Sequence, residues 1–168
     1  MTLGQIHLDL NKAQEAETHL NRALLCRVLL EEAVNFIYHK VGAKKPSKAS
    51  LLELLDSPVV TGYINDADTV NSLHYVRILG MNARHGRKVR KNEAKLAQEN
   101  ITYLIGLLVA KESGTEYACH KPPYMSEAEL RKISAQDERL RTFLRRRKRL
   151  QRKAHVLYLP DHDQLHRR

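Results

Sequence analysis

Apolar residues recur at helical spacings along most of the first two thirds of the chain. The segment 20–38 is the clearest case, with Leu25, Val28 and Phe36 on one broad apolar surface and few polar positions. Such a surface is typical of a helix in the centre of a bundle, where other helices cover it on several sides. Gly42 follows as the expected C-terminal cap, because glycine readily adopts the left-handed backbone conformation found there.

Shorter or weaker apolar patterns predict further helices on both sides of this segment. Ser50 and Glu53 have the spacing of a capping box, although the short helix that they open could instead begin at Pro46. Pro58 interrupts the pattern. The other predicted helices are 3–16, 68–83 with Asp68 as N-cap, and 92–109 with Asn92 as N-cap. Since no stretch except 155–159 alternates apolar and polar residues, we predict an all-α bundle of four or five helices.

Charge divides the chain into a nearly neutral block and a basic appendage. The whole chain carries 29 Lys and Arg against 19 Asp and Glu, a formal net charge of +10. Residues 1–113 hold 15 and 12 of these, a net +3, whereas residues 114–168 hold 14 and 7, a net +7. Gly114 and the pair Pro122–Pro123 lie at the join. The predicted organisation is a helical bundle over 1–113, a linker over 114–125 and a basic helix with a tail over 126–168.

The composition excludes several classes of protein. Only two cysteines occur, Cys26 and Cys119, so neither a disulfide framework nor a cysteine zinc site is predicted. No apolar run approaches the ~20 residues that span a bilayer, and the first residues lack the basic stretch and apolar core of a signal peptide. The sequence contains no Walker, dinucleotide-binding or nucleophile-elbow motif. We expect a cytoplasmic protein that holds no cofactor and no metal and contacts no membrane.

The segment 77–85, Arg-Ile-Leu-Gly-Met-Asn-Ala-Arg-His, carries the residue types of a phosphate site. Arg77 and Arg84 share a helix face, and His85 lies about 80° from Arg77 around the axis, so we expect one outward hollow between guanidinium and imidazole. Arginine binds phosphodiesters, and histidine exchanges protons near neutral pH. The same residues also suit a plain helix C-terminus, where Arg84 and His85 interact with the helix dipole and Gly86 makes the turn.

Two further features indicate close packing around this segment. Gly80 lies inside the predicted helix, where it costs ~1 kcal/mol relative to alanine, which favours either close approach of another helix or local unwinding. Arg27 and Glu31 are four residues apart on a mostly apolar helix and are predicted to form an internal ion pair. Alternatively, Arg27 approaches Arg77 or His85 and helps to line a site.

The segment 20–112 resembles the HEPN superfamily of helical domains. The similarity rests on residues 23–31 (ALLCRVLLE) and 73–85 (LHYVRILGMNARH). More narrowly, the segment is similar to a helical module at the N-terminus of type I restriction enzyme R subunits and other bacterial defence proteins. In HEPN ribonucleases, arginine and histidine motifs of two subunits meet across a dimer and cleave RNA without a metal. The resemblance implies a homodimer and, for a ribonuclease, the catalytic residues Arg77, Asn82 and His85.

The sequence departs from the family patterns at two points, and the first of them, a longer spacing that the restriction-associated group shares, favours a module without catalysis. Seven residues separate Arg77 from His85, whereas HEPN ribonucleases have four to six. Asn82 lies one place later than the asparagine of the restriction-associated group, with Met81 in its stead.

Basic clusters offer a second route to polyanions, because they bind phosphate backbones through counterion release. The alternative for the C-terminal cluster is a solvated helix whose long side chains cover apolar surface. Aromatic residues beside that cluster are few, Phe143 and Tyr158, which favours backbone or duplex contacts over single-strand stacking. The predicted contacts with RNA or DNA are Arg84, Arg87, Lys88, Arg90, Arg145, Arg146, Arg147, Lys148, Arg149 and Arg152.

Three functions follow as hypotheses. The first is an accessory module of a bacterial defence or restriction system that binds nucleic acid or a partner subunit, such as a larger restriction or helicase polypeptide, without catalysis. The second is a metal-independent HEPN-type endoribonuclease that acts as a dimer. The third is a structural dimerisation domain.

Overall fold

The computed structural model of the chain describes residues 3–117 and 121–123, together with residues 128 and 132. The chain forms two compact units, Met1–Leu130 and Arg131–Arg168, and the elements below belong to the first. The described residues form six α-helices and no strand, which confirms the all-α prediction. The helices are α1 Leu3–Gln14, α2 His19–Val41, α3 Leu51–Leu55, α4 Pro58–Ile64, α5 Ala67–Arg84 and α6 Lys91–Ser113. The predicted basic helix of 126–153 lies outside the described residues.

Helix α5 forms the centre of the bundle. Every residue from Ser72 to Gly80 is buried, because α2, α3, α4 and α6 all pack against it. Helix α2, which the sequence pattern places at the centre, contacts all five other helices but leaves Val28 49% exposed. The most covered helix is therefore the one that carries Arg77.

Two contacts fix the directions of the long helices. Lys40 Nζ lies 2.6 Å from Glu112 Oε2, which joins the C-terminal ends of α2 and α6, so these helices run parallel. Helices α5 and α6 pack together and are joined by only six residues, 85–90, so α5 runs antiparallel to α6 and therefore to α2. Arg27 of α2 packs on Gly80 near the C-terminal end of α5. The start of α2, the end of α5 and the start of α6 consequently meet at one end of the bundle.

Local capping signals specify two helix ends as predicted. Gly42 follows α2 with φ 70°, the left-handed C-cap. Ser50 and Glu53 form the capping box of α3: the Ser50 amide donates to Glu53 Oε2 at 2.6 Å, and the Glu53 amide donates to Ser50 Oγ at 3.3 Å. The alternative start at Pro46 is therefore wrong.

Two predicted N-caps are displaced by two residues. Asp66, not Asp68, caps α5; its backbone is extended, and its carboxylate accepts hydrogen bonds from the Asp68 amide and the Thr69 hydroxyl. Helix α6 begins at Lys91, before the predicted Asn92, with Arg90 at the N-cap position.

Helix α4 is absent from the prediction, which took Pro58 as an interruption. Proline instead occupies the first position of this helix, where its missing amide hydrogen costs no intrahelical bond. Ser57 caps the helix by accepting the Val60 amide at 3.3 Å. This helix raises the number of described helices to six.

The described part of the predicted linker packs on the bundle. We call residues 115–117 and 121–123 the strap. Tyr117 lies directly over Gly106 of α6, and Lys121 Nζ lies 2.6 Å from Asp66 Oδ2 at the start of α5. Among the described helices, none is both long and apolar enough to span a bilayer.

Candidate functional site

The end of α5 and the turn after it present a cationic surface, which we call the basic turn (residues 84–91). Arg84 is the last residue of α5, His85 occupies the C-cap, and Gly86 has φ 67°, as the C-terminal turn requires. Val89 is buried and holds the turn against the bundle. The backbone of the turn is thus held against the bundle, while the side chains of Arg84, Lys88, Arg90 and Lys91 are exposed.

The basic turn concentrates positive charge in a short segment. The segment contains five Lys and Arg and no Asp or Glu. The next acidic residue, Glu93, accepts the Arg90 backbone amide at 2.7 Å. Such a concentration of positive charge attracts anions and raises their rate of association. The exposed members are Arg84, Lys88, Arg90 and Lys91.

Asn82 and Arg87 hold the turn together. Arg87 Nη1 donates to Asn82 Oδ1 at 2.5 Å, and the Arg87 amide donates to the Asn82 carbonyl at 3.0 Å. Arg87 is half-buried. The Asn82 side chain, which the resemblance implies to be catalytic in a ribonuclease, here accepts a hydrogen bond from Arg87.

Arg77 lies inside the bundle, with only 8% of its surface exposed. Arg27 reaches it from α2: Arg27 Nη1 donates to the Arg77 carbonyl at 3.3 Å, and Arg27 Nη2 lies 2.9 Å from Glu31 Oε1. The predicted Arg27–Glu31 ion pair is confirmed. Arg27 also reaches the backbone carbonyl of Arg77, which is the approach named in the alternative interpretation; that Arg27 helps to line a site stays a prediction.

Gly80 permits this approach. A Cβ atom at Gly80 would lie 2.3 Å from the Arg27 Cβ and 2.9 Å from its Cδ, far inside contact distance. Helix α5 continues through Gly80 to Arg84. Of the two interpretations of this glycine, close helix approach is confirmed and local unwinding is wrong.

The structure does not bring Arg77 and His85 together at the surface. His85 is exposed at the C-cap, whereas Arg77 is buried in the bundle. Eight helical steps of 1.5 Å place them about 12 Å apart along the axis. The expectation that both side chains line one outward hollow is therefore wrong. The reason lies with Arg77, because every residue of α5 from Ser72 to Gly80 is buried.

The imidazole near Arg77 belongs to His74. His74 is 9% exposed, and its Nε2 lies 3.0 Å from Oδ1 of Asp56, an exposed residue at the end of α3. Burial lowers the pKa of His74 below its ordinary 6.5, and the positive charge of Arg77 acts in the same direction, while Asp56 opposes the shift. A carboxylate, an imidazole and a guanidinium thus line one side of α5.

Sequence reasoning missed Asp56 and His74 as a polar pair. The available signal was the spacing of three residues between His74 and Arg77, which places both on one helix face. Nothing in the sequence indicates that Asp56, eighteen residues earlier, packs against that face. Among the described residues, no group of three or more His, Cys, Asp or Glu could hold a metal ion.

The C-terminal candidates, Arg145, Arg146, Arg147, Lys148, Arg149 and Arg152, lie outside the described residues. Compared with protein family models, with curated proteins and with solved structures, the chain matches none of them.

Proposed function

We propose that this chain is a helical module that binds nucleic acid through the basic turn and has no catalysis of its own. The observation that carries the proposal is the exposure of Arg84, Lys88, Arg90 and Lys91 on a turn whose backbone is fixed by Val89. Fixed cations match the repeating charge of a phosphate backbone, and their contacts do not depend on base sequence.

The resemblance to restriction-associated modules supports the biological context. An accessory module of a defence or restriction system would hold nucleic acid or a partner subunit for a larger restriction or helicase polypeptide. The predicted C-terminal cations, Arg145–Arg149 and Arg152, would add to the same phosphate contacts. In this proposal the phosphate contacts made by the bundle come from the basic turn, whose position the bundle fixes.

The endoribonuclease alternative receives less support from the geometry. It requires Arg77 to bind the scissile phosphate and His85 to move a proton on it, but Arg77 is buried and His85 is exposed about 12 Å further along the helix. Asn82 is occupied by Arg87. The alternative predicts cleavage of RNA in EDTA to products with cyclic phosphate ends.

A structural dimerisation domain is the second alternative. The half-exposed Val28 on α2, with the partly buried Leu24 and Leu25 beside it, offers an apolar surface for a second copy. Sedimentation equilibrium of the full chain measures the homodimer that the resemblance implies, and this alternative predicts a dimer without affinity for nucleic acid.

One incubation separates the three functions. Purified full chain is mixed in EDTA with fluorescent RNA and with fluorescent DNA, and both anisotropy and product length are recorded at two salt concentrations. With four phosphate contacts on a single strand, the proposal predicts a loss of affinity of about 50-fold between about 50 and 200 mM salt, and intact oligonucleotides. Binding that does not depend on salt, or no binding, contradicts the proposal; cleavage selects the ribonuclease.

A further inference from the structure

A groove lined by rings runs beside the middle of α6. Its volume is about 450 Å³, within the range of roughly 300–1,000 Å³ typical of small-ligand sites. The rings of Tyr103, Tyr117, Pro122 and Pro123 line it, together with Gln98, Thr102 and the acidic Glu99. We propose that this groove, which we call the Tyr103 groove, takes an unpaired nucleobase of a single strand bound at the basic turn.

The walls of the Tyr103 groove are held by specific contacts. The Tyr117 hydroxyl lies 2.1 Å from the place where a Cβ of Gly106 would be, so the ring packs on bare backbone. The Tyr103 and Tyr117 rings meet edge to face, with centroids 5.4 Å apart. The ion pair of Lys121 with Asp66 ties the strap to α5. A preformed groove binds without the entropic cost of ordering its walls.

One face of α6 leads from the basic turn to this groove. At 100° per residue, Lys91, Lys95, Gln98 and Thr102 lie within about 60° of one another around the axis. Lys91 belongs to the basic turn, and Tyr103 lies about 18 Å further along the helix, a distance that a few nucleotides span. A strand whose phosphates contact Lys91 and Lys95 therefore arrives at the Tyr103 groove.

Glu99 is the acidic residue on this path, and it also lines the Tyr103 groove. Its Oε1 lies 3.6 Å from Lys95 Nζ, in a pair whose side chains are 41% and 69% exposed. Pairs of this kind contribute little free energy, so a phosphate can replace the carboxylate at Lys95. The costs are the loss of this weak pair and the repulsion between Glu99 and the phosphate.

The chemistry of the groove selects an unpaired base. Every base has a π-face that can stack on a tyrosine ring, and the Gln98 amide can both donate to and accept from a base edge. A paired base in a duplex is stacked on its neighbours and presents no face to the groove. The sequence favours duplex or backbone contacts for the C-terminal cations, because few aromatic residues lie near them. Tyr103 and Tyr117 belong to the bundle instead, so they offer stacking surfaces that this prediction does not consider.

The inference rests on the proposed function and is tested by dissociation constants measured side by side. The probes are an oligothymidylate of about 12 nucleotides, within the ~4–16 nucleotides of single-strand sites, and a hairpin duplex with the same number of phosphates. Tyr103→Ala should weaken binding of the single strand by between about 5-fold and 100-fold and leave the duplex unchanged. Tyr103→Phe, which keeps the ring, should bind like the parent.

Tyr63→Ala is the matched control, because Tyr63 is half-buried on α4 and contacts Lys111 outside the groove. A second readout needs no variant: the chain has seven Tyr and no Trp, so its emission is tyrosine emission, and stacking should quench it with the single strand but not with the duplex. Equal affinity of Tyr103→Ala and parent, or quenching by neither probe, overturns the inference. If both probes bind with steep salt dependence in that case, the proposed function stands; if neither probe binds, the proposed function fails.

Discussion

Gly80 of α5 and Arg27 of α2 are in direct contact, with the Arg27 Cβ only 2.3 Å from the position of a Gly80 Cβ. This contact lets the two helices cross closely enough for Arg27 to bond the Arg77 carbonyl while it pairs with Glu31. Arg77 is buried on the same helix, whereas Arg84, Lys88, Arg90 and Lys91 of the basic turn are exposed.

Gly80→Ala should destabilise the fold, although alanine is the better helix former by ~1 kcal/mol. The added methyl group meets the Arg27 Cβ, an atom fixed to the α2 backbone, and overpacking of this kind costs typically 1–3 kcal/mol. We expect a net loss of about 1 kcal/mol in the free energy of unfolding, measured in urea. The control is Gly62→Ala on α4, where no atom lies within 4 Å of the place that the new methyl group would take, so this variant should gain stability. Equal gains in the two variants would contradict the close contact between α2 and α5 at Gly80.

His74 should make the fold less stable as the pH falls. Burial lowers its pKa in the folded state below the ordinary 6.5, so the unfolded chain binds the proton first as the pH drops through 6.5. Stability is then lost with decreasing pH, by at most ~1.4 kcal/mol per pH unit from this group. His74→Gln should remove this part of the dependence between pH 7 and pH 5, measured by urea unfolding at each pH.

The control for His74 is His39→Gln, because His39 is exposed near the end of α2. Its pH dependence of unfolding should match that of the parent chain. If the unfolding free energy of His74→Gln depends on pH as strongly as that of the parent chain, then our account of His74 as a buried, neutral imidazole beside Arg77 is wrong.

Glu32→Gln should stabilise the fold at neutral pH. Burial raises the pKa of Glu32, Asp9 adds to the shift and Lys12 opposes it; the Oε2 atom is buried without a hydrogen-bond partner among the described residues. A raised folded-state pKa means that stability is greatest below the ordinary 4.5 and falls as the pH rises through the shifted value. We expect a gain on the order of 0.5 kcal/mol at pH 7 that shrinks towards pH 4.5, with exposed Glu17→Gln unchanged.

His85→Ala should leave both the fold and the affinity for nucleic acid nearly unchanged. The imidazole is exposed at the C-cap, where surface substitutions alter stability by within about 0.5 kcal/mol. Thermal unfolding and the salt-dependent binding assay measure the two properties. An RNA-cleaving activity that His85→Ala abolishes while the fold persists would support the ribonuclease instead.

Capping residues in the sequence predict several helix ends correctly. Gly42 and the Ser50–Glu53 box end and begin helices where expected, because each device acts within a few residues. Asp66 and Asp68 show the limit: both are good caps two residues apart, and the choice depends on which one has the extended backbone. Pro58 is ambiguous for the same reason, since proline both interrupts helices and starts them.

The candidate site depends on contacts that the sequence does not reveal. Helical spacing places Arg77 on a face of α5, but it does not show that the packed bundle buries this face. The pairing of His74 on α5 with Asp56 at the end of α3 joins residues far apart in the sequence, and no periodic pattern in the sequence indicates it. The Tyr103 groove likewise requires the strap to fold back on α6. By contrast, the basic turn is a contiguous run, and the sequence predicts it directly.

The most direct test of nucleic-acid binding by the basic turn is the affinity of two double variants with equal charge change. Lys88→Glu with Lys91→Glu reverses two exposed lysines of the turn, whereas Lys44→Glu with Lys48→Glu reverses two exposed lysines of the loop after α2, at the other end of the bundle. We predict that the Lys88–Lys91 double variant binds a labelled single strand more than 10-fold more weakly at about 50 mM salt, and that its affinity depends less on salt. The Lys44–Lys48 double variant should change the affinity and its salt dependence far less. Equal losses in the two double variants would show that net charge alone binds the nucleic acid, and would contradict a site at the basic turn.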